Sequence, residues 1–372
     1  MVHFHRRDFL AYAGALGASG LVLGNRAFAA AEADSLARQA VAAGQTEVIV
    51  GGSTGAYVDR VKKIFYDPFT EATGIKVTNV GGGYGEKLAK IKAMTEVGNV
   101  EWDVLTLSVD SLIETNRKYF RDLGATCEET PNVAADGIAG ACLRYGAIFD
   151  IGAGVLAYDT DAFVGKPKPS SWADFWNVKD YPGPRSLPDA GTPWWNLIAA
   201  LTADGVPPDQ LFPLDVDRAF KKLDEIKSEV TVWWRSGDQS QQMFRSGEVV
   251  MAMLFAGRAK SLQHEGLPLG ISWNNAPLDA SFWGVLKDAQ RPLAGLALIN
   301  FVYSRPEAHV EYITESQSAT GLKTALDLID PAVARELPTY PATWDTIVKI
   351  DSDWLSANQD AVLQRWSAWL AG

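Results

Sequence analysis

A serine set between glycines, Gly51-Gly-Ser53-Thr-Gly55, directly follows an apolar β-type run, Glu47-Val-Ile-Val50. A strand, a sharp glycine turn and a helix form the setting in which G-x-S-x-G raises a nucleophilic hydroxyl above a sheet, with a histidine to take its proton. His264 and His309 lie downstream. This strand is the first in the chain, however, and no earlier strands supply the rest of a hydrolase sheet or its oxyanion loop. His264 falls in a polar turn, Gln263-His-Glu-Gly266, and His309 at a polar helix start. The same glycines suit a tight β–α loop whose backbone N–H groups face a ligand; a hydrolase built on Ser53 is the alternative. A second glycine loop, Gly81-Gly-Gly-Tyr-Gly85-Glu-Lys87, lacks G-K-[ST] because Glu86 separates Gly85 from Lys87, and it lacks G-x-G-x-x-G. It reads as a loop of backbone donors ahead of a helix opening at Glu86. Of four histidines, two fall within the first 29 residues, and no metal-ligand spacing exists, so neither metal nor cofactor is expected.

Aromatic residues carry more information. The chain has 13 Trp, with adjacent pairs at Trp194-Trp195 and Trp233-Trp234, both expected at element ends. A single Trp is most simply core. On a strand, however, neighbours point to opposite faces, so one of a pair looks outward or into a cleft. Ring faces in a cleft hold a cation with about 0.5–2 kcal/mol each.

The elements that must position these groups alternate. After β-type Glu47–Val50 comes a helix with Tyr57, Val61, Ile64 and Phe65 at helical spacing, stopped at Thr73-Gly74. Strand Ile75–Val80, helix Glu86–Glu96 and apolar strand Trp102–Leu107 follow, and Ser108 or Asp110 caps the next helix. Later come a capped short helix at Trp172–Trp176, helices at Trp194–Ala203, Asp215–Ser228 and Gln239–Gly247, and strands Thr231–Trp234 and Val249–Leu254. Strand-like Leu269–Trp273 and Phe282–Leu286 precede a helix at Pro292–Tyr303 and a Trp-rich helical tail. This succession reads as α/β, doubly wound, with ligand loops at the carboxyl ends of the strands.

Compartment is set by residues 1–29. Arg6-Arg7 precede an apolar run of about 14 residues, shorter than the roughly 20 that span a bilayer, and Ala27-Phe-Ala29 offers a cleavage site. A twin-arginine signal and a soluble periplasmic chain are expected. About 340 residues would remain, enough for two lobes. Formal charge is −11 for the whole chain and about −13 without the signal, which argues against nucleic acid as a partner. Cys127 and Cys142 are a disulfide candidate, a loop closure of about 3 kcal/mol; the alternative is two buried thiols.

Several stretches in order resemble the spermidine/putrescine-binding group of ABC importers, a type II periplasmic solute-binding family. They are Trp102-Asp-Val-Leu-Thr-Leu-Ser108, Ile151-Gly-Ala-Gly-Val-Leu-Ala-Tyr158, Pro169-Ser-Ser-Trp172-Ala-Asp-Phe-Trp176, Ser246-Gly-Glu-Val-Val-Met-Ala-Met253, Gly257-Arg258, Phe282-Trp283 and Ala294–Tyr303. The resemblance implies two α/β lobes with a ligand cleft between them, lobe 1 from 46–145 plus 282–330 and lobe 2 from 146–281 plus 331–372. It implies a binding protein rather than an enzyme, a small polar ligand, an ABC permease in the inner membrane as partner, and action as a monomer. Carried over residue by residue, Tyr57, Ser108 and Asp110 face the ligand from lobe 1. Asp189, Trp194, Trp195, Trp234, Ser236 and Gln239 face it from lobe 2, and Trp283 lies near the crossing. Asp110 and Asp189 are the candidates for an ammonium group. Gly284-Val-Leu286 stands where an acidic residue is usual, and Phe255-Ala-Gly257 where Trp-Asn-Gly is usual. A polyamine-like solute is the leading expectation; Arg235 or Arg258 holding the carboxylate of a zwitterion is the alternative.

Overall fold

In a computed structural model of the protein, residues 35–372 are described; the export segment expected over residues 1–29 lies outside them. Among the described residues ten strands follow in chain order: β1 (Glu47–Gly52), β2 (Lys76–Gly81), β3 (Val104–Ser108), β4 (Ala147–Asp159), β5 (Arg185–Pro188), β6 (Val230–Trp234), β7 (Met251–Phe255), β8 (Leu269–Ser272), β9 (Leu278–Val285) and β10 (Ala319–Thr320). Contacts divide the chain into two units. Unit 1 takes the described residues up to Gly82, Glu86–Ile151 and Ala280–Thr339; unit 2 takes Gly83–Gly85, Gly152–Asp279 and Tyr340–Gly372. The passage near residue 146 expected from sequence thus falls inside β4, at Ile151–Gly152. No loop marks it, because β4 is one 13-residue strand buried along almost its whole length.

In unit 1, β1 pairs in parallel with β2 and β3, and β9 runs antiparallel to β3 with Ser108 opposite Ser281. The first part of β4 pairs with β10, Asp150 opposite Thr320. β3 is buried at every position, as a strand covered on both faces must be. The glycines that end β1 are there for packing. A Cβ on Gly51 would sit 2.5 Å from the Trp102 ring, and one on Gly52 would sit 1.9 Å from Oδ1 of Asn79. Gly74 ends the helix Asp67–Thr73 with φ 74°, a left-handed conformation that glycine adopts at no steric cost. Asp103, fully buried, accepts hydrogen bonds from Ile49 N (2.8 Å), Arg291 N (2.9 Å) and Arg291 Nε (2.8 Å). That carboxylate ties β1, the entry to β3 and the start of the buried helix Pro292–Val302 together.

In unit 2, β5 lies parallel to β6 and β7, and the second part of β4 runs antiparallel to β7 and β8. Helix Trp172–Trp176 opens with a reciprocal cap: Ser171 Oγ accepts from Asp174 N, and the Asp174 carboxylate accepts from Ser171 N. Helix Pro193–Ala203 starts on a proline and buries Pro193 through Leu201. Asn196 Nδ2 donates to Pro188 O (2.8 Å) and pins that helix to the end of β5. The tail forms helix Ser352–Ala371, capped by Asp351. Residues 35–42, within the leader, form a helix that buries Ala37 and Ala40. Among the described residues no helix is long and apolar enough to cross a membrane.

Cys127 and Cys142 in unit 1 are joined by a disulfide across 15 residues of sequence. The double replacement Cys127→Ser/Cys142→Ser should lower unfolding stability by about 3 kcal/mol, read as a lower urea midpoint. An unchanged midpoint would mean that the bond does not constrain the unfolded chain.

Candidate functional site

Because β1 and β3 run parallel, their carboxyl ends lie at one edge of the unit 1 sheet, the position where open α/β sheets take ligands. Tyr57 stands there in the first turn of helix Gly55–Val61. Ser108 ends β3 and accepts the backbone N–H of Asp110, a cap that makes both residues part of the strand-end turn. The antiparallel register brings Ser281 of β9 to the same edge, opposite Ser108.

The centre of this edge is a residue that the motif reading passed over. Asp150, half-buried in β4, accepts from Ser281 Oγ and from Tyr312 Oη (3.0 Å). The Tyr57 hydroxyl shares the Tyr312 and Ser281 hydroxyls. Burial pushes the Asp150 carboxyl above the usual carboxylate range, and the Ser281 and Tyr312 hydrogen bonds only partly offset it. Burial, with the charge of Asp150 behind it, drives the Tyr57 and Tyr312 phenols far up, so both stay protonated donors. Trp283, two residues along β9, stacks on Phe149 at 4.5 Å and meets Tyr66 at 5.7 Å. Its buried indole N–H has no partner among the described residues. The sequence signal for this cluster was a lone carboxylate inside an apolar run, Ala147-Ile-Phe-Asp150-Ile-Gly-Ala-Gly-Val-Leu156.

Lys87 is also buried here. Its Nζ donates to Thr106 O at 2.6 Å, and loss of hydration pulls its pKa down to about 7. Glycine content drew attention to this loop, but the lysine turns inward to β3 rather than lying open as a phosphate ligand.

In unit 2 the strand ends carry a different set. Asp189 follows β5, and its carboxylate accepts from Arg235 Nε (3.0 Å) and Trp366 Nε1 (2.9 Å). Both oxygens are therefore engaged, and Asp189, expected to pair an ammonium, is neutralised by its own arginine. Trp234 is fully buried, its Nε1 donating to Met253 O at 2.9 Å. The strand argument holds for its neighbour: Trp233 faces the other way, against Trp366 and Trp369. It does not extend to Trp194 and Trp195, which stand on a helix and are both buried. Trp195 lies against Phe255 at 5.5 Å and over Gly154, with a buried N–H lacking a partner among the described residues. Ser236 caps helix Gly237–Arg245 by accepting from Gln239 N, and Gln239 Oε1 accepts from Arg235 N (2.8 Å). Arg258 is taken up by Asp238 (2.9 Å) and Gln241 (3.0 Å).

Among the described residues no histidine stands in position to serve Ser53. His309 is fully buried, its Nε2 facing Val302 O at 3.1 Å inside a cage of Phe65, Phe149 and Tyr303. His264 is exposed at the end of a unit 2 helix. Neither serves Ser53, and among the described residues no group of three or more His, Cys, Asp or Glu could hold a metal ion.

The chain matches the family model for bacterial extracellular solute-binding proteins over residues 65–347. It belongs to that family. Its members are binding proteins and not enzymes, which disposes of the Ser53 alternative. A gamma-aminobutyric acid-binding protein of Pseudomonas aeruginosa is 32% identical over 359 residues, covering 95% of this chain and 96% of its own. The spermidine/putrescine-binding periplasmic protein of Escherichia coli is 26% identical over 195 residues, 51% of this chain and 53% of its own. Among solved structures, an ABC transporter substrate-binding protein from Bradyrhizobium japonicum is similar with a TM-score of 0.77 at 31% identity, covering 87% of this chain and 99% of its own. The fold is that of the periplasmic binding proteins of ABC transporters.

Burial holds His309 neutral down to about pH 3, against an ordinary value of 6.5, although its hydrogen bond to Val302 works the other way. Between those pH values the unfolded chain binds a proton that the folded chain refuses. Stability should therefore fall as pH drops below 6.5, by at most about 1.4 kcal/mol per pH unit. Urea unfolding of His309→Gln between pH 7 and pH 4 should lack this component of the slope; an identical slope would put the acid sensitivity elsewhere.

Proposed function

We propose that the chain is the solute-receiving component of an ABC importer and that it captures a small organic solute through a single ammonium group. The observation that carries this reading is Asp150: a carboxylate at the strand-end edge of unit 1, held by hydroxyls and, among the described residues, by no arginine or lysine. Hydroxyl donors fix its direction without cancelling its charge, so a cation remains the partner it needs. Aromatic residues are concentrated nearby: the Tyr57 and Tyr312 hydroxyls belong to the same hydrogen-bonded cluster, and Trp283 lies two residues beyond Ser281, stacked on Phe149.

A diamine or triamine needs an acidic partner at each ammonium, and at the strand ends of unit 2 both Asp189 and Asp238 are already bound, to Arg235 and Arg258. A solute with one amine and an acid group, of the kind named for the Pseudomonas relative, is therefore favoured over the polyamine expected from sequence. The partner in transport is an ABC permease, with the receptor acting as a monomer outside the inner membrane.

A thermal-shift panel of 4-aminobutyrate, other amino acids, putrescine and spermidine tests the reading. A true solute at 100 times its Kd should stabilise the protein by about 2.7 kcal/mol. Asp150→Asn should weaken binding of that solute at least 100-fold, about 2.7 kcal/mol, because it removes the charge while keeping the shape. Response to polyamines but not to amino acids would reverse the choice of class; an Asp150→Asn protein binding like wild type would end the assignment of the site.

A further inference from the structure

Three of the residues expected to touch solute in unit 2, Asp189, Ser236 and Gln239, gather around Arg235. Arg235 has its backbone N–H held by Gln239 Oε1 (2.8 Å), while Gln239 is itself fixed by the Ser236 cap (3.2 Å). Its Nε is held by Asp189 Oδ2 at 3.0 Å. The side chain is nevertheless 79% exposed, against 18% for Asp189. An arginine held through Nε keeps the edge formed by its two terminal nitrogens, the edge that fits a carboxylate with two parallel hydrogen bonds. Arg235 immediately follows β6, which is parallel to β5, so it stands at the carboxyl ends of these strands.

A surface ion pair would need nothing more. Here the anchor is itself anchored from far along the chain: Trp366, 3% exposed, gives its indole N–H to Asp189 Oδ1 at 2.9 Å. The indole is clamped by Trp233 at 5.4 Å and Trp369 at 5.2 Å. Trp369 is fixed in turn, its Nε1 donating to Asp224 (2.7 Å) and Lys227 lying 4.4 Å over its ring. A buried indole N–H spent on a carboxylate 177 residues away in sequence sets the direction of that carboxylate and so of the arginine beyond it.

We propose that Arg235 is a carboxylate-recognising residue and that Trp366, on the C-terminal helix Ser352–Ala371, is its positioning residue, acting through Asp189. The solute class this adds is a carboxylate-bearing one. The inference rests on the chain being a solute receptor, but not on Asp150.

The test uses the full mature chain with ¹⁵N-labelled tryptophan indoles, the Trp366 resonance being the one lost in Trp366→Phe. Sodium butyrate and 4-aminobutyrate should move that resonance saturably, putrescine should leave it in place, and Arg235→Gln should abolish the response. Calorimetric affinity for 4-aminobutyrate should fall about tenfold or more in Arg235→Gln, and by a smaller factor in Trp366→Phe, with binding of amine-only probes unchanged in both. If Trp366→Phe folds poorly, Asp189→Asn serves in its place, since it keeps an acceptor for the indole and removes the charge that holds Arg235. A Trp366 resonance indifferent to butyrate, together with full affinity for 4-aminobutyrate in Arg235→Gln, overturns the proposal. The Asp150 reading fails separately: Asp150→Asn would then bind amines normally, whether or not the butyrate response survives.

Discussion

A carboxylate taken out of water must be given hydrogen-bond donors or a counter-charge, and unit 1 satisfies that requirement in two different ways. Asp103 receives both, two backbone N–H groups and the Arg291 guanidinium. Its charge is cancelled where it sits, and the result is mechanical: β1 and β3 are held side by side with the helix that follows β9. Asp150 receives hydroxyls only. The first carboxylate fixes the end of β3 remote from Ser108; the second sits beside Ser281 with hydroxyl partners and no guanidinium among the described residues. Everything assigned to function in unit 1 depends on this division.

Unit 2 solves the same problem with arginine, and the polarity of its edge is reversed. Asp189 and Asp238 are each bound by a guanidinium. The acids become supports, and the outward-facing charge at the strand ends belongs to Arg235. Residues that look like ligands by type, such as Ser236 and Gln239, spend their hydrogen bonds on a helix cap and on the arginine's backbone. A polar side chain at a strand end can touch a solute or hold the residue that does, and residue type alone does not distinguish them.

The strands, the capped helices and the glycine stops were legible because each follows from a local rule: alternation or continuous burial, a cap residue, a left-handed position. The loop Gly51–Gly55 was legible as a β–α turn, though the reason for its glycines, the Trp102 ring and the Asn79 side chain, is a contact across the sheet. Asp150 was visible in the sequence as an anomaly, a charge in an apolar strand, but its partners are 131 and 162 residues away. Trp366 was visible only as one of several Trp in the helical tail, since its hydrogen bond to Asp189 is made 177 residues away in sequence. The passage between the units reads in sequence as the glycine-punctuated apolar stretch Ile151-Gly-Ala-Gly-Val-Leu-Ala-Tyr158, and its exact point is less legible because β4 runs on through it.

The phenols around Asp150 limit what its charge can accept. With their pKa values driven up by burial, Tyr57 and Tyr312 stay protonated donors at neutral pH rather than becoming anions. The same burial raises the carboxyl itself, so Asp150 takes up a proton at a higher pH than a solvated aspartate does. A bound ammonium acts in the opposite direction, favouring the carboxylate by placing a positive charge against it. In the proposed reading, solute and proton compete for one oxygen pair, and the amine binds only while the carboxyl is ionised. That competition ties recognition to the charge of the site rather than to its shape, and a neutral isostere of the solute's amine would lose the larger part of its binding even if it fitted the same space.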